Sequence, residues 1–211
     1  MAVSLRLERA LLRESRPGAL LAAIDEVGRG ALAGPVAVGV VVIDASIGSA
    51  PQGVRDSKDL EPAVRETLAP RVRRWAPRSA VGMASAGEID SIGIIGSLAL
   101  AAVRAINATG VHPDVVLLDG KHDWLSRVAP RSRVVTRIKA DSACAAVAAA
   151  SVIAKVTRDA HMVELAREAP MYAWESNKGY AAPEHVAALE VYGPSPWHRV
   201  SWQLPGVGLR P

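Results

Sequence analysis

The chain has 211 residues, half of them hydrophobic, and 25 Lys and Arg against 21 Asp and Glu give a formal net charge of +4. That length suits one domain with a small appendage, and a charged fraction of 22% with short Pro/Gly punctuation excludes long disorder. The basic balance suits a polyanion such as nucleic acid without requiring one, and the single Cys144 excludes an intrachain disulfide and favours a reducing compartment.

Phe is absent, so Ala, Val, Leu and Ile must fill the core. The start, "MAVSLRLERALLRESRPG", is charged throughout and lacks the apolar stretch of a signal peptide. The run "ALAGPVAVGVVVI" is too short to cross a bilayer and is broken by Gly and Pro. A cytoplasmic protein with no membrane partner is expected.

Residues 4–14 predict a helix with Leu5, Leu7, Leu11 and Leu12 near one face. "ALLAAID" reads as a first strand, and "GPVAVGVVVID" as a longer, Val-rich second one that closes on "SIGSAPQG". "EPAVRETLAPRVRRW" reads as a helix with Pro in its first turn, and "SAVGMASAG" as a third strand. Short links between these strands suggest an antiparallel meander. "SLALAAVRAINATG" predicts a helix closed by Gly110, and "PDVVLLDG" a strand buried on both faces. "SRVVTRIKAD" reads as a fifth strand. A long Ala-rich helix over 142–169 and another over 182–193 follow, and the last residues look irregular. The sum is an α/β domain with a five-stranded mixed sheet flanked by helices.

Three of the strands finish on acids: Asp25 with Glu26, Asp119, and Asp141. If the strands are neighbours, these carboxylates converge and repel unless a cation, a cationic side chain or solvent relieves them. Divalent ions with oxygen ligands, Mg²⁺ in particular, suit such a set, and a pair of them supports phosphodiester cleavage. Adjacent residues on a strand point to opposite faces. Asp25 and Glu26 therefore both aim inward only if the strand breaks; otherwise Glu26 contributes through its backbone carbonyl or a bound water. "GRGALAG" lacks the spacing and the following helix of a dinucleotide loop. It can bring backbone close to a ligand and set Arg29 against a phosphate, or it can be a tight hairpin with a solvated Arg.

With "IDEVGRG", "DSKDL", "LLDG", "KADS", "AAASVIAKVTRD" and "NKGY" in this order, the chain resembles bacterial ribonuclease HII from about Leu21 to Trp202. The related type HIII lacks this GRG loop and carries a further N-terminal domain. The resemblance implies a ribonuclease H-like fold over about 18–168 with a C-terminal helical extension over about 169–211. It implies a monomer that hydrolyses the RNA strand of RNA–DNA hybrids and cuts at single ribonucleotides in duplex DNA, leaving 5′-phosphate and 3′-hydroxyl ends. By the same resemblance Asp25, Glu26, Asp119 and Asp141 are the catalytic ligands of Mn²⁺ or Mg²⁺. Gly28, Arg29 and Gly30 would feel the ribose 2′-hydroxyl, which distinguishes RNA from DNA. Tyr180 would pack on the sugar that follows the ribonucleotide, and Ser57 and Lys58 would contact phosphate.

Departures from the common motifs are Asn177, Asp59, Ala140 and Trp202. Lys155 and Arg158 face either nucleic acid or solvent. His112, His122, His161, His185 and His198 are scattered without ligand spacing and read as surface or packing residues; Cys144 reads as a small core residue. Gln203-Leu204 in the tail faintly resembles a sliding-clamp-binding peptide, packing being the plainer account. The rival functions are a DNA-directed metal nuclease of the same fold and a non-catalytic hybrid-binding module.

Overall fold

The computed structural model describes residues 3–207. Helix α1 (Arg6–Arg13) leads into strands β1 (Leu21–Val27) and β2 (Val36–Ile43), helix α2 (Pro62–Trp75) and strand β3 (Ser79–Ala84). Helix α3 (Ala86–Ala108), strands β4 (Val115–Asp119) and β5 (Arg133–Arg137) and helix α4 (Ala145–Glu168) follow, then the short α5 (Trp174–Asn177) and α6 (Pro183–Tyr192). The sheet order is β3-β2-β1-β4-β5. The first three strands form the expected antiparallel meander, while β4 lies parallel to β1 and β5 parallel to β4.

Strand β2 is buried along its whole length, so its β-branched run is apolar on both faces rather than alternating. Leu21, Ala23, Val41 and Leu117 pack beneath α4, together with α1 and α2, in one core cluster. Ala22, Ile24, Val38 and Leu118 pack against α3 in a second. The scarcity of large aromatics has a geometric counterpart. A Cβ on Gly39 would overlap the backbone carbonyl of Ala150, so α4 meets β2 at backbone contact along its Ala-rich first turns. Buried Glu8 on α1 accepts a 2.9 Å bond from the Ala146 amide, which satisfies an orphan donor at the start of α4.

Several expected boundaries move. Helix α3 begins eleven residues before Ser97, because Ser85 and Glu88 form a reciprocal capping box. It is interrupted at Gly93 (φ 72°, ψ 165°). Its 23 residues have the length and hydropathy of a bilayer span, yet Ile89, Leu98, Ala101, Ala102 and Ala105 are spent on the second core cluster. Strand β5 stops at Arg137, and residues 138–141 turn back with Lys139 at φ 57°. Asp141 therefore sits in a turn and not at a strand end. Helix α4 starts at Ala145 rather than at Ser142.

Beyond α4, Tyr172, Trp174, Leu189 and Leu204 join Leu32, Ala33 and Met162 in a third cluster. Leu204 is thus a packing residue. Residues 208–211 of the clamp-like tail lie outside the described residues.

Candidate active site

Strands β1 and β4 run parallel with Ile24 beside Leu118, and the same register sets Asp25 next to Asp119 at their C-terminal ends. Period-two alternation puts both on the α4 side of the sheet. Asp141 reaches them from the turn after β5, and Asp119 itself holds that turn, accepting a 2.6 Å bond from the Ala140 amide. One carboxylate oxygen from each of Asp25, Asp119 and Asp141 lies within 4.8 Å of the other two. Strand β1 stays regular through Val27, so Glu26 is turned to the opposite face. Its carboxylate lies 3.5 Å from the Arg29 guanidinium and is outside the three-acid group.

The electrostatics are those of a site short of positive charge. Burial, and after it the charges of Glu26, Asp119 and Asp141, raise the Asp25 carboxyl well above its usual range. Burial, then Asp141, raises Asp119 against the backbone N–H groups of Ala140 and Asp141. Glu26 is raised by burial against the pull of Arg29. A further acid, Asp56, which the strand-end pattern does not single out, caps the turn Ser57–Asp59 by accepting from the Lys58 amide at 3.0 Å. Burial raises it too, and Asp141 adds to the effect.

Lys58 stands over this group with its Nζ 3.5 Å from Asp141 and 73% of its side chain exposed. Burial draws its ammonium down, but Asp56, Asp25 and Asp141 together outweigh that and leave it raised. Ser57 is buried, and its amide donates to the Ser151 hydroxyl at 3.1 Å. Of the two residues expected to touch phosphate, only Lys58 presents a charge outward.

Two fully buried arginines fasten the glycine loop. Arg158 donates to the carbonyls of Pro35 at 2.8 Å, Ala33 at 3.2 Å and Lys178 at 3.0 Å. It also lies 5.4 Å from the centroid of the Tyr180 ring. Arg199 donates to the carbonyls of Gly28 at 2.6 Å, Arg29 at 2.9 Å and Gly34 at 3.1 Å. Neither of the alternatives expected for Arg158 holds: its guanidinium meets neither solvent nor an open groove, because its three acceptors close around it. Lys155 is mostly covered as well, paired with Asp159 at 2.8 Å and lying 5.7 Å from the Tyr180 centroid. The Gly179 carbonyl accepts from the Leu32 amide at 2.8 Å, joining the Tyr180 loop to the glycine loop.

Gly28 and Gly30 differ physically. Gly28 has φ +82°, and a Cβ there would overlap the Arg158 side chain, whereas around Gly30 the same position is open. Gly28→Ala is therefore expected to destabilise the fold by about 1–3 kcal/mol. Gly30→Ala should melt within about 0.5 kcal/mol of wild type, so that any change in it is read in cleavage alone. Paired thermal melts and cleavage assays check both, and equal melting of the two variants would contradict the assignment.

A mixed sheet of this order, with carboxylates gathered where its parallel strands end, defines a nuclease of the ribonuclease H-like fold. The family model described as Ribonuclease HII matches residues 22–204. A ribonuclease HII of Streptomyces avermitilis is 48% identical over 191 residues, covering 90% of this chain and 80% of that protein. Among solved structures, the ribonuclease H2 from Pyrococcus horikoshii OT3 superposes with a TM-score of 0.71 at 29% identity, over 88% of this chain and 95% of that one. The PCNA:RNase HII complex from Archaeoglobus fulgidus gives 0.70 at 27% identity, over 86% and 93%. The chain belongs to the ribonuclease HII family, and it is a hydrolytic endoribonuclease of RNA–DNA hybrids.

Proposed function

We propose that the chain cuts duplex DNA at single embedded ribonucleotides as well as the RNA of longer hybrids, leaving 5′-phosphate and 3′-hydroxyl ends. Asp25, Asp119 and Asp141 hold Mg²⁺ or Mn²⁺, and Glu26 joins them through its backbone carbonyl or a bridging water. The observation that carries this is the convergence of the Asp25, Asp119 and Asp141 carboxylates on one face, with Asp25 and Asp119, near the ends of neighbouring parallel strands, held above the usual carboxylate range. An all-oxygen, anionic donor set of this kind fits a hard divalent cation. When bound there, such ions activate water toward phosphorus and stabilise the leaving oxygen.

The chain's own groups do the selecting. Gly30, with nothing over it, lets a ribose approach the loop backbone, so that a 2′-hydroxyl gains a hydrogen bond a deoxyribose cannot make. Arg29 and Lys58, both exposed beside the acids, bring positive charge to the flanking phosphates. Tyr180, half-buried over Arg158, offers a ring face to the next sugar. The residues to about 168 form the catalytic core and those after it an extension that builds the Tyr180 side of the site. The protein acts as a cytoplasmic monomer.

The test is a duplex carrying one ribonucleotide beside its all-DNA twin, with Mg²⁺ or Mn²⁺ supplied. Cleavage at the ribonucleotide alone is expected, with ends identified by ligation and phosphatase treatment. Equal cutting of both duplexes would favour the DNA-directed nuclease, and binding without cleavage the hybrid-binding module. Protons compete with cations for the raised carboxyls, so cleavage should climb as pH rises from about 6 toward 8. A sliding clamp is a further candidate partner, supported by the Archaeoglobus complex. Buried Leu204 argues against a Gln203-Leu204 anchor, and clamp pull-down by the full chain, lost on trimming its tail, would restore that anchor.

A further inference from the structure

Two histidines far from any expected ligand spacing meet beneath the Tyr180 loop. His185 on α6 and His198 in the closing segment are both fully buried, with their Nε2 atoms 2.9 Å apart. His185 Nδ1 lies 2.8 Å from the Tyr180 carbonyl. The Trp174 indole N–H donates to His185 Nε2 at 3.2 Å, and the Ser195 amide donates to His198 Nδ1 at 2.9 Å.

Three groups of fixed polarity assign the protons, and the Ser195 hydroxyl, 2.8 Å from His198 Nδ1 and free to rotate, follows them as a donor. An indole N–H and a backbone amide can only donate, and a carbonyl can only accept. His185 Nε2 must then be bare, so Nδ1 carries its proton and donates to the Tyr180 carbonyl. His198 Nδ1 must also be bare, so Nε2 carries the proton and donates to His185 Nε2 at 2.9 Å, sharing that atom's single lone pair with the more distant Trp174 indole. A proton added to either ring would set N–H against N–H at a buried contact. Burial supports the neutral forms, lowering His185 and holding His198 down at about 4, where His185 also contributes.

The pair is tied at its far end to the other half of the site. The backbone of His198 bridges to Ala33, and the flanking amide of Arg199 donates to the Leu32 carbonyl at 3.0 Å. Around it, Tyr172 stacks on Trp174 at 5.1 Å and meets His198 edge-on at 4.7 Å, which fixes the ring planes. Lys178 and Gly179, just before Tyr180, both have left-handed φ (53° and 83°). That local conformation is costly for Lys178 and persists only where its surroundings hold it.

We propose that His185 and His198 form a neutral imidazole relay of positioning residues, which fixes the Tyr180 backbone relative to the glycine loop and so sets the enzyme's preference for a ribose–deoxyribose junction. This rests on the reading of Tyr180 given above. Neither histidine touches substrate; both act through Tyr180. A displacement of about 1 Å in a positioning group can cost on the order of 100-fold in rate, so loss of this strut is sufficient to blunt junction selection.

The experiment has two arms, both on the full chain. Long-range ¹H–¹⁵N spectra of wild type at neutral pH should show His185 with bare Nε2 and His198 with bare Nδ1; reversed tautomers, or a charged ring, overturn the relay. In the second arm, kcat and KM are measured on a lone-ribonucleotide duplex and on a uniform RNA–DNA hybrid. His185→Ala should reduce the preference for the lone ribonucleotide at least about tenfold. His185→Asn, which keeps a donor near the Nδ1 position, should restore it to within about threefold. Equal losses on both substrates that follow the fall in melting temperature would make the pair merely structural and overturn the proposal. Tyr180→Ala separates the two failures. If that variant keeps the preference while the tautomers are as assigned, the Tyr180 reading is at fault and the positioning claim falls with it.

Discussion

Asp25→Asn should end hydrolysis while making the metal-free protein harder to melt. Loss of cleavage on the order of 10³-fold or more is expected from removing the shared cation ligand proposed above. The stability gain follows from the sign of the shift. The Asp25 carboxyl titrates higher in the fold than in the unfolded chain, first because it is buried and then because Glu26, Asp119 and Asp141 surround it. Ionising it in the fold therefore costs free energy. That cost is absent below the unfolded value near 3.9, grows as pH rises, and is complete above the raised folded value. Asn removes it, so the variant should gain at least about 2 °C in Tm at pH 8, the shift that roughly 1 kcal/mol produces in a chain of this size. The gain should vanish toward pH 4. Adding Mg²⁺ or Mn²⁺ should reverse the order, because only wild type binds the ion at full strength; cation at 100 times its Kd stabilises by about 2.7 kcal/mol. A wild type that outmelts the variant in chelator at pH 8 would refute this account of the acids.

Arg158→Met should cost about 3–5 kcal/mol, several times the effect of an ordinary surface substitution. Two effects oppose one another. A buried guanidinium without a carboxylate partner carries a desolvation cost that Met would relieve. Against that stand the carbonyls of Ala33, Pro35 and Lys178, each left unsatisfied at about 1–3 kcal/mol. Three unsatisfied carbonyls outweigh the relief of one desolvated cation, and the void under Gly28 adds to the loss. Arg158→Lys should recover less than half, because an ammonium lacks the planar fork that reaches three directions. Urea melts give the stability, and the two-substrate assay shows whether selectivity falls with it. Arg199 belongs to the same frame: burial first, and then Arg158, bring it down to about 9, so it remains charged at neutral pH and keeps its grip on the glycine loop. A Met variant that melts within 2 °C of wild type would show that the loop carbonyls find other donors.

Much of this was legible in the chain. The period-two and all-apolar runs gave the five strands, because a strand buried on both faces has nowhere to place polar residues. The acids at their ends stood out for the same reason. Asp141 was placed correctly in the group but for the wrong cause: β5 ends at Arg137, and a turn held by Asp119 delivers it. The "SAGE" stretch carried a capping signal that would have started α3 at the right residue. Arg158 is not legible because a cation two and three residues before exposed Ala160 and His161 on a helix looks solvated until its acceptors, 123 and 125 residues away in sequence, are known.

Local composition and order by themselves determined the α/β class, the meander, the family and the acids, since these follow from burial periodicity and from motifs contiguous along the chain. Only the tertiary structure decided that Glu26 faces away from Asp25, that Asp56 joins the acids, that Arg158 and Arg199 are buried clamps, and that His185 finds His198. The reason is physical: a polar side chain's role depends on which donors and acceptors remain unmet around it, and those come from segments that only folding brings together.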